Sequence, residues 1–91
     1  MAAVTPTSTN TIGSIGMFTL LSFTFPGTVA DADTWASGLS GRVFNYWTQD
    51  IDNPTTQGSV GVAATESAGT FTFYPAEDSK NFYLFILVSG A

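Results

Sequence analysis

The sequence predicts an all-β fold: a compact antiparallel β-sandwich or barrel-like domain of five or six strands with an extended N-terminal arm. Three observations carry this reading. The chain is built of short aromatic and β-branched runs, most of them alternate apolar and polar residues at period two, and Pro, Gly and Asn clusters separate them. At 91 residues the chain makes one domain, divided here into an arm over 1–14 and a β domain over 15–91.

Residues 2–13 are rich in Thr, Ser and Asn, carry Pro6 and show no periodicity, which reads as an arm that lies loose or docks on a neighbour. From Ile15 to Phe25 the pattern becomes that of a strand, with Ile15, Met17, Leu21, Phe23 and Phe25 on one face, and Pro26-Gly27 ends it. Thr28 to Gly41 reads as a long loop in which Trp35 and Leu39 either plug the open end of the sandwich or serve in binding. A second strand spans Arg42 to Gln49, with Val43, Asn45 and Trp47 expected opposite Phe44, Tyr46 and Thr48. Ser59–Ala64 and Gly69–Tyr74 alternate and form a hairpin through Thr65–Ala68, with Val60, Val62, Ala64, Phe71 and Phe73 inward.

The closing strand, Phe82 to Val88, differs from the others. Phe82, Leu84, Ile86 and Val88 take one face, and Tyr83, Phe85 and Leu87 make the other face apolar as well. A small domain has one core layer to cover one of these faces, so the second needs the arm, the long loop or another subunit. The expected interface is accordingly Trp35, Leu39, Phe44, Tyr46, Tyr83, Phe85 and Leu87.

Composition excludes most chemistry. There is no His and no Cys, and Arg42 and Lys80 are the two basic residues, so a structural zinc site, a disulfide and a His-based nucleophile relay are all ruled out. No enzyme activity, cofactor or metal is expected. Asp31/Asp33 and Asp50/Asp52 are spaced as loop carboxylates that converge on a hard cation or, more often, bond their own backbone. A carboxylate pair for glycoside hydrolysis, Asp50 with Glu66 or Glu77, has little room for a cleft in a domain this small.

The net charge of −5 with two separated cations argues against nucleic acid. The start of the chain lacks a basic segment followed by an apolar stretch, and the apolar run Phe82–Val88 is far short of the ~20 residues of a spanning helix, so neither export nor a membrane is expected. Charged residues make up 10% of the chain, against about 25% in soluble domains, leaving Thr, Ser, Gly, Asn and Gln to solvate the surface.

The order of features resembles small virion proteins of tailed bacteriophages that decorate or cement the outside of the capsid. The likeness rests on Asp33-Thr34-Trp35-Ala36-Ser37-Gly38-Leu39, then an aromatic strand, Gly61-Val62, the Gly69–Phe73 strand and the closing run ending Val88-Ser89-Gly90. In layout it covers Ile15 to Gly90. It implies a structural virion protein, made in the host cytoplasm and placed on the capsid exterior, with the major capsid protein as partner and a homo-oligomer, often a trimer, as the assembled form. The rival readings are another phage structural part (tail, fibre or head completion) and a small carbohydrate-binding module using Trp35, Tyr46, Trp47 and Tyr74 as stacking platforms.

Overall fold

The computed structural model describes residues 2–50, 62–75 and 81–89. Seven strands form two antiparallel sheets: β1 (Ser8–Ile15), β2 (Phe18–Phe25), β7 (Phe82–Ser89) and β4 (Val43–Asp50) in that spatial order, and β3 (Asp33–Ala36), β6 (Thr70–Pro75) and β5 (Val62–Ser67) in the other. The all-β sandwich expected from the alternation is the observed architecture. The strand count is higher than five or six because two segments assigned to arm and loop are strands.

The first of these is β1. Ser8–Ile15 is not a free arm; it pairs with β2 from Ser8↔Thr24 to Ile15↔Phe18. The turn between them is Gly16-Met17, with Gly16 at φ 60°. A positive φ at the first central residue of a two-residue loop suits the right-handed twist of a hairpin, and glycine adopts it without a Cβ clash. The turn splits the expected strand Ile15–Phe25, so Met17 is an exposed turn residue rather than a core one.

Residues preceding β1 cross between the sheets. Val4 N donates to Thr34 O (2.8 Å) and Thr34 N to Ala2 O (2.9 Å), a parallel pairing along the outer edge of β3, while Thr7 N donates to Thr24 O of β2 (2.7 Å). Val4 also packs against the core. The N-terminal segment is thus a strap that closes one side of the sandwich. On the other side, Thr48 Oγ1 of β4 donates to Val62 O of β5.

The second unexpected strand is β3, which puts Trp35 in the core. Its ring lies 4.6 Å from Phe23, 5.4 Å from Phe25 and 5.9 Å from Phe71, centroid to centroid. Phe25 also contacts Phe73 at 4.9 Å and stacks on Phe82 at 5.3 Å. Phe25, Phe71, Phe73, Phe82, Leu84, Ile86 and Val88 are fully buried between the sheets, as their period-two positions require.

The loop after β3 is held by the β5–β6 turn. Ser37 N and Oγ both donate to Gly69 O (2.9 and 2.6 Å), Ser37 Oγ accepts from Leu39 N, and Leu39 folds onto the core. The hairpin turn is Ala68-Gly69, not Thr65–Ala68: both residues have positive φ (50° and 85°), as a type I′ turn demands. A Cβ on Gly69 would come within 2.7 Å of Ser40 N.

β4 contains a bulge between Val43 and Asn45 that corrects the expected alternation. Val43 opposes Val88 and joins Tyr46 and Thr48 on the inner face, so Phe44 turns outward to the side of Trp47. Val60 and the start of the expected Ser59–Ala64 strand lie outside the described residues.

Two substitutions test the turn. Ala68→Asn places a residue that tolerates positive φ at the first turn position and is expected to stabilise the protein by about 1 kcal/mol. Gly69→Ala combines a left-handed backbone with a clash against Ser40 and is expected to cost about 2–4 kcal/mol. Urea denaturation midpoints read both.

Candidate functional site

Among the described residues, the outer face of the four-stranded sheet carries the exposed aromatics Phe44 and Trp47. Register builds it row by row from β1 across to β4. Ile15 and Phe18 lie opposite each other and lead to Ser89; Gly13, Leu20, Leu87 and Asn45 form the next row; then Asn10, Ser22, Phe85 and Trp47; then Ser8, Thr24, Tyr83 and Gln49. The apolar part is concentrated towards the Gly16-Met17 turn, and the polar row lies at the far end.

Aromatic contacts knit this face laterally. Trp47 stacks on Phe85 at 5.4 Å with 21° between the rings, Tyr83 lies 5.6 Å from Phe85, and Phe18 lies 4.8 Å from Phe44. Trp47 and Phe85 are direct partners on neighbouring strands, and such a cross-strand pair contributes about 0.2–1 kcal/mol to the sheet. The contacts bury the sides of the rings but leave their outer surfaces open: Ile15 is 85% exposed, Phe44 65% and Trp47 43%. None of the residues in these rows is charged. Among the described residues the surface has no cleft or cavity.

Of the expected interface residues, Phe44, Tyr83, Phe85 and Leu87 are brought together here. Trp35, Leu39 and Tyr46 are not. Trp35 is one of the central core rings, Leu39 packs on the core from its loop, and Tyr46 points inward to meet Phe71 edge-on at 5.2 Å. Of the two roles open to Trp35 and Leu39, packing on the core is the one observed, while their place in the expected interface is not, because β3 pairs with β6 and turns Trp35 between the sheets. Ile15, Phe18, Leu20 and Trp47 belong to the face but were absent from the expected set. The bulge at Phe44 and the turn at Gly16 shift the alternation by one residue, and only the pattern around them signals it.

The same geometry scatters the four aromatics of the carbohydrate reading. Trp35 and Tyr46 face inward, Trp47 stands on the outer face of one sheet, and Tyr74 neighbours the buried Phe73 on β6 of the other sheet, with its own side chain outward. No common stacking platform forms from them.

Two of the acidic residues, Asp33 and Glu66, bond to nearby backbone. Asp33 is buried, its Oδ2 accepting from Ala30 N and its Oδ1 from Ala2 N, each at 2.8 Å. The bond from Ala30, then that from Ala2, holds its carboxyl below the usual carboxylate range. Asp33 therefore closes the turn before β3 and fastens the N-terminal strap. Glu66 accepts from Gly69 N at 2.8 Å and stabilises the hairpin turn. Asp52 and Glu77 lie outside the described residues, and among the described residues no three carboxylates gather as a metal site would need.

No protein-family model, curated protein or solved structure matches this chain. The outer sheet face is therefore judged on its own chemistry. A partly aromatic sheet face, with Arg42 donating to Ser89 O at one end of it, offers area to a protein partner and, among the described residues, no concave site to a small molecule.

Two experiments follow from this placement. Phe44→Thr places a β-branched residue of good strand propensity at an exposed bulge, so unfolding free energy is expected to change by less than about 1 kcal/mol while binding of a hydrophobic dye falls. The lowered carboxyl of Asp33 contributes stability that is present above its unfolded value near 3.8 and is lost as pH falls through the lower folded value. An acid titration of the unfolding midpoint should thus be shallower in Asp33→Asn, which is also less stable at neutral pH because an amide nitrogen cannot accept the second N–H.

Proposed function

We propose that this protein is a structural virion component, a decoration or cement protein that binds the outer surface of a phage capsid and stabilises the head. The observation that carries the proposal is the outer face of β2, β7 and β4: it is apolar, flat and uncharged, and the chain's own second sheet covers only the opposite side. The partner is the major capsid protein, and copies of the chain associate on the shell. The resemblance carried by Asp33–Leu39 and the closing strand supplies the kind of assembly. An origin as another phage structural part is the nearest alternative.

The size of the face supports a repeated lattice as the target. Four strands spaced about 4.8 Å apart and eight residues rising about 3.3 Å each make a face of roughly 500 Å², small for one partner of a stable interface. A single contact of this size is weak. Many copies held on a shell, or linked to each other, gain effective concentration that one pair lacks. Burial also stabilises a small domain by mass action, since only the folded chain presents the face.

Purified protein mixed with expanded, undecorated capsids is expected to co-sediment at a fixed number of copies per capsid. Phe85→Ser should weaken that binding at least about tenfold, as loss of a central aromatic anchor does. Absence of co-sedimentation with the capsids of a candidate host virus, together with undiminished binding to soluble glycans, would overturn the proposal.

A further inference from the structure

We propose that β1 is a pairing edge for a second copy of this chain, with the two β1 strands running antiparallel about a two-fold axis and joining the two four-stranded sheets into one. The inference is independent of the capsid reading, because it concerns the edge of the sheet and not its face.

The sheet edges are treated unequally. The outer edge of β3 is occupied by Ala2–Val4, and β4 and β5 flank each other on one side of the sandwich, tied by Thr48 and Val62. β1 is different: all eight of its residues are exposed, and among the described residues nothing lies on its far side. The three-stranded sheet does not reach it, so Thr9 and Thr11, opposite the inward Phe23 and Leu21, are exposed too.

In an antiparallel pair, alternate residues direct their N–H and C=O groups to the partner and the others direct them away. β1 therefore presents a row of backbone donors and acceptors whose natural complement is another strand. Edges of this kind are usually guarded by Lys, Pro, short length or a bulge. The strand Ser8-Thr9-Asn10-Thr11-Ile12-Gly13-Ser14-Ile15 has no charged residue and no Pro, and its one guard is the bulge between Thr11 and Gly13. That bulge breaks the ladder at Ile12 and leaves Ser8–Thr11 as the straight, pairable run.

Two features select a second copy as the occupant. The run Ser8-Thr9-Asn10-Thr11 is self-complementary, since each side chain both donates and accepts, and such Thr, Ser and Asn pairs stabilise antiparallel strands when placed opposite one another. The chain carries a net charge of −5, yet neither β1 nor the outer face beside it contributes any of it. Of the acidic residues described, Asp31 stands in the loop before β3, Asp33 on β3, Asp50 at the end of β4 on the opposite edge of the sheet, and Glu66 on β5. Among the described residues, therefore, two copies can meet at β1 without bringing acidic groups together. The contact is isologous and closes at two copies, whereas the phage resemblance implies three.

The native chain contains no cysteine, which makes a single-cysteine scan clean. Light scattering of the purified protein from micromolar to millimolar concentration is expected to show a reversible doubling of mass. Cysteines placed singly at Ser8, Thr9, Asn10, Thr11 and Ser14 are expected to form intermolecular disulfides fastest at Thr9 or Asn10, near the axis, and slowest at Ser14. The double variant Thr9→Lys with Thr11→Lys is expected to stay monomeric, with an unchanged far-ultraviolet spectrum and urea midpoint confirming that it folds. A protein that remains monomeric at every concentration overturns the proposal. So does association that survives the lysine pair but is lost in Phe44→Thr, which would place the contact on the sheet face, or disulfide formation that is uniform along β1. Capsid binding by a strictly monomeric protein would sink this inference alone, and a β1-linked dimer that ignores capsids would sink only the capsid reading.

Discussion

The aromatic cluster between the two sheets is the interaction on which the rest of the structure depends. Phe25 contacts Trp35, Phe73 and Phe82, and Trp35 reaches Phe23 and Phe71, so rings from β2, β3, β6 and β7 meet in one layer. A chain of this size has few residues with which to separate inside from outside, and large rings bury the most area per ordered residue. The loops are shaped to serve that layer. Ser37 anchors to the Gly69 carbonyl, Leu39 folds inward and Asp33 fastens the N-terminal strap beside Trp35. The Asp33–Leu39 segment, which carries the resemblance to virion proteins, is accordingly a packing and turn motif. Its residues explain why the sandwich closes.

The central strand β7 couples the core to the surface. It is paired on both sides, by β2 and β4, and its alternate side chains feed both faces. Phe82, Leu84, Ile86 and Val88 are buried by the second sheet, while Tyr83, Phe85 and Leu87 are shielded only by lateral neighbours. The sheet that the core requires thus carries an apolar outer face as a direct consequence of one strand's sequence. The chain contains no His and no Cys, so chemistry that needs an imidazole or a thiol is absent from it.

How much of this was legible in the residues depended on whether the alternation ran unbroken. In β7 it did, and both faces were assigned correctly from Phe82–Val88 alone. In β4 the first turn of the pattern failed at the Val43–Asn45 bulge, which moved Phe44 to the outer side with Trp47 and left Val43 and Tyr46 inward. In Ile15–Phe25 a Gly-Met turn interrupted a run whose apolar residues hid it, so Ile15 went to the outer face of β1 rather than the core. The Ser, Thr and Asn of β1 have no apolar period because, among the described residues, neither face of that strand is covered, which is why it read as an arm. A strand without a buried face has no hydrophobic signature to detect.

The sequence by itself determined the all-β class, the punctuation of the strands by Pro and Gly, the two-faced closing strand and the exclusion of His- and Cys-dependent chemistry. These follow from residue type and period, which are local properties. Tertiary structure alone decided that Trp35 is core, that Ala2–Val4 occupies the edge of β3, that β1 stands at the end of its sheet with all its residues exposed, and that Phe18, Phe44, Trp47 and Phe85 share one face. Each of those facts depends on which strands lie side by side, and pairing between residues far apart in the chain is fixed by the packing of the whole core and not by the residues that pair.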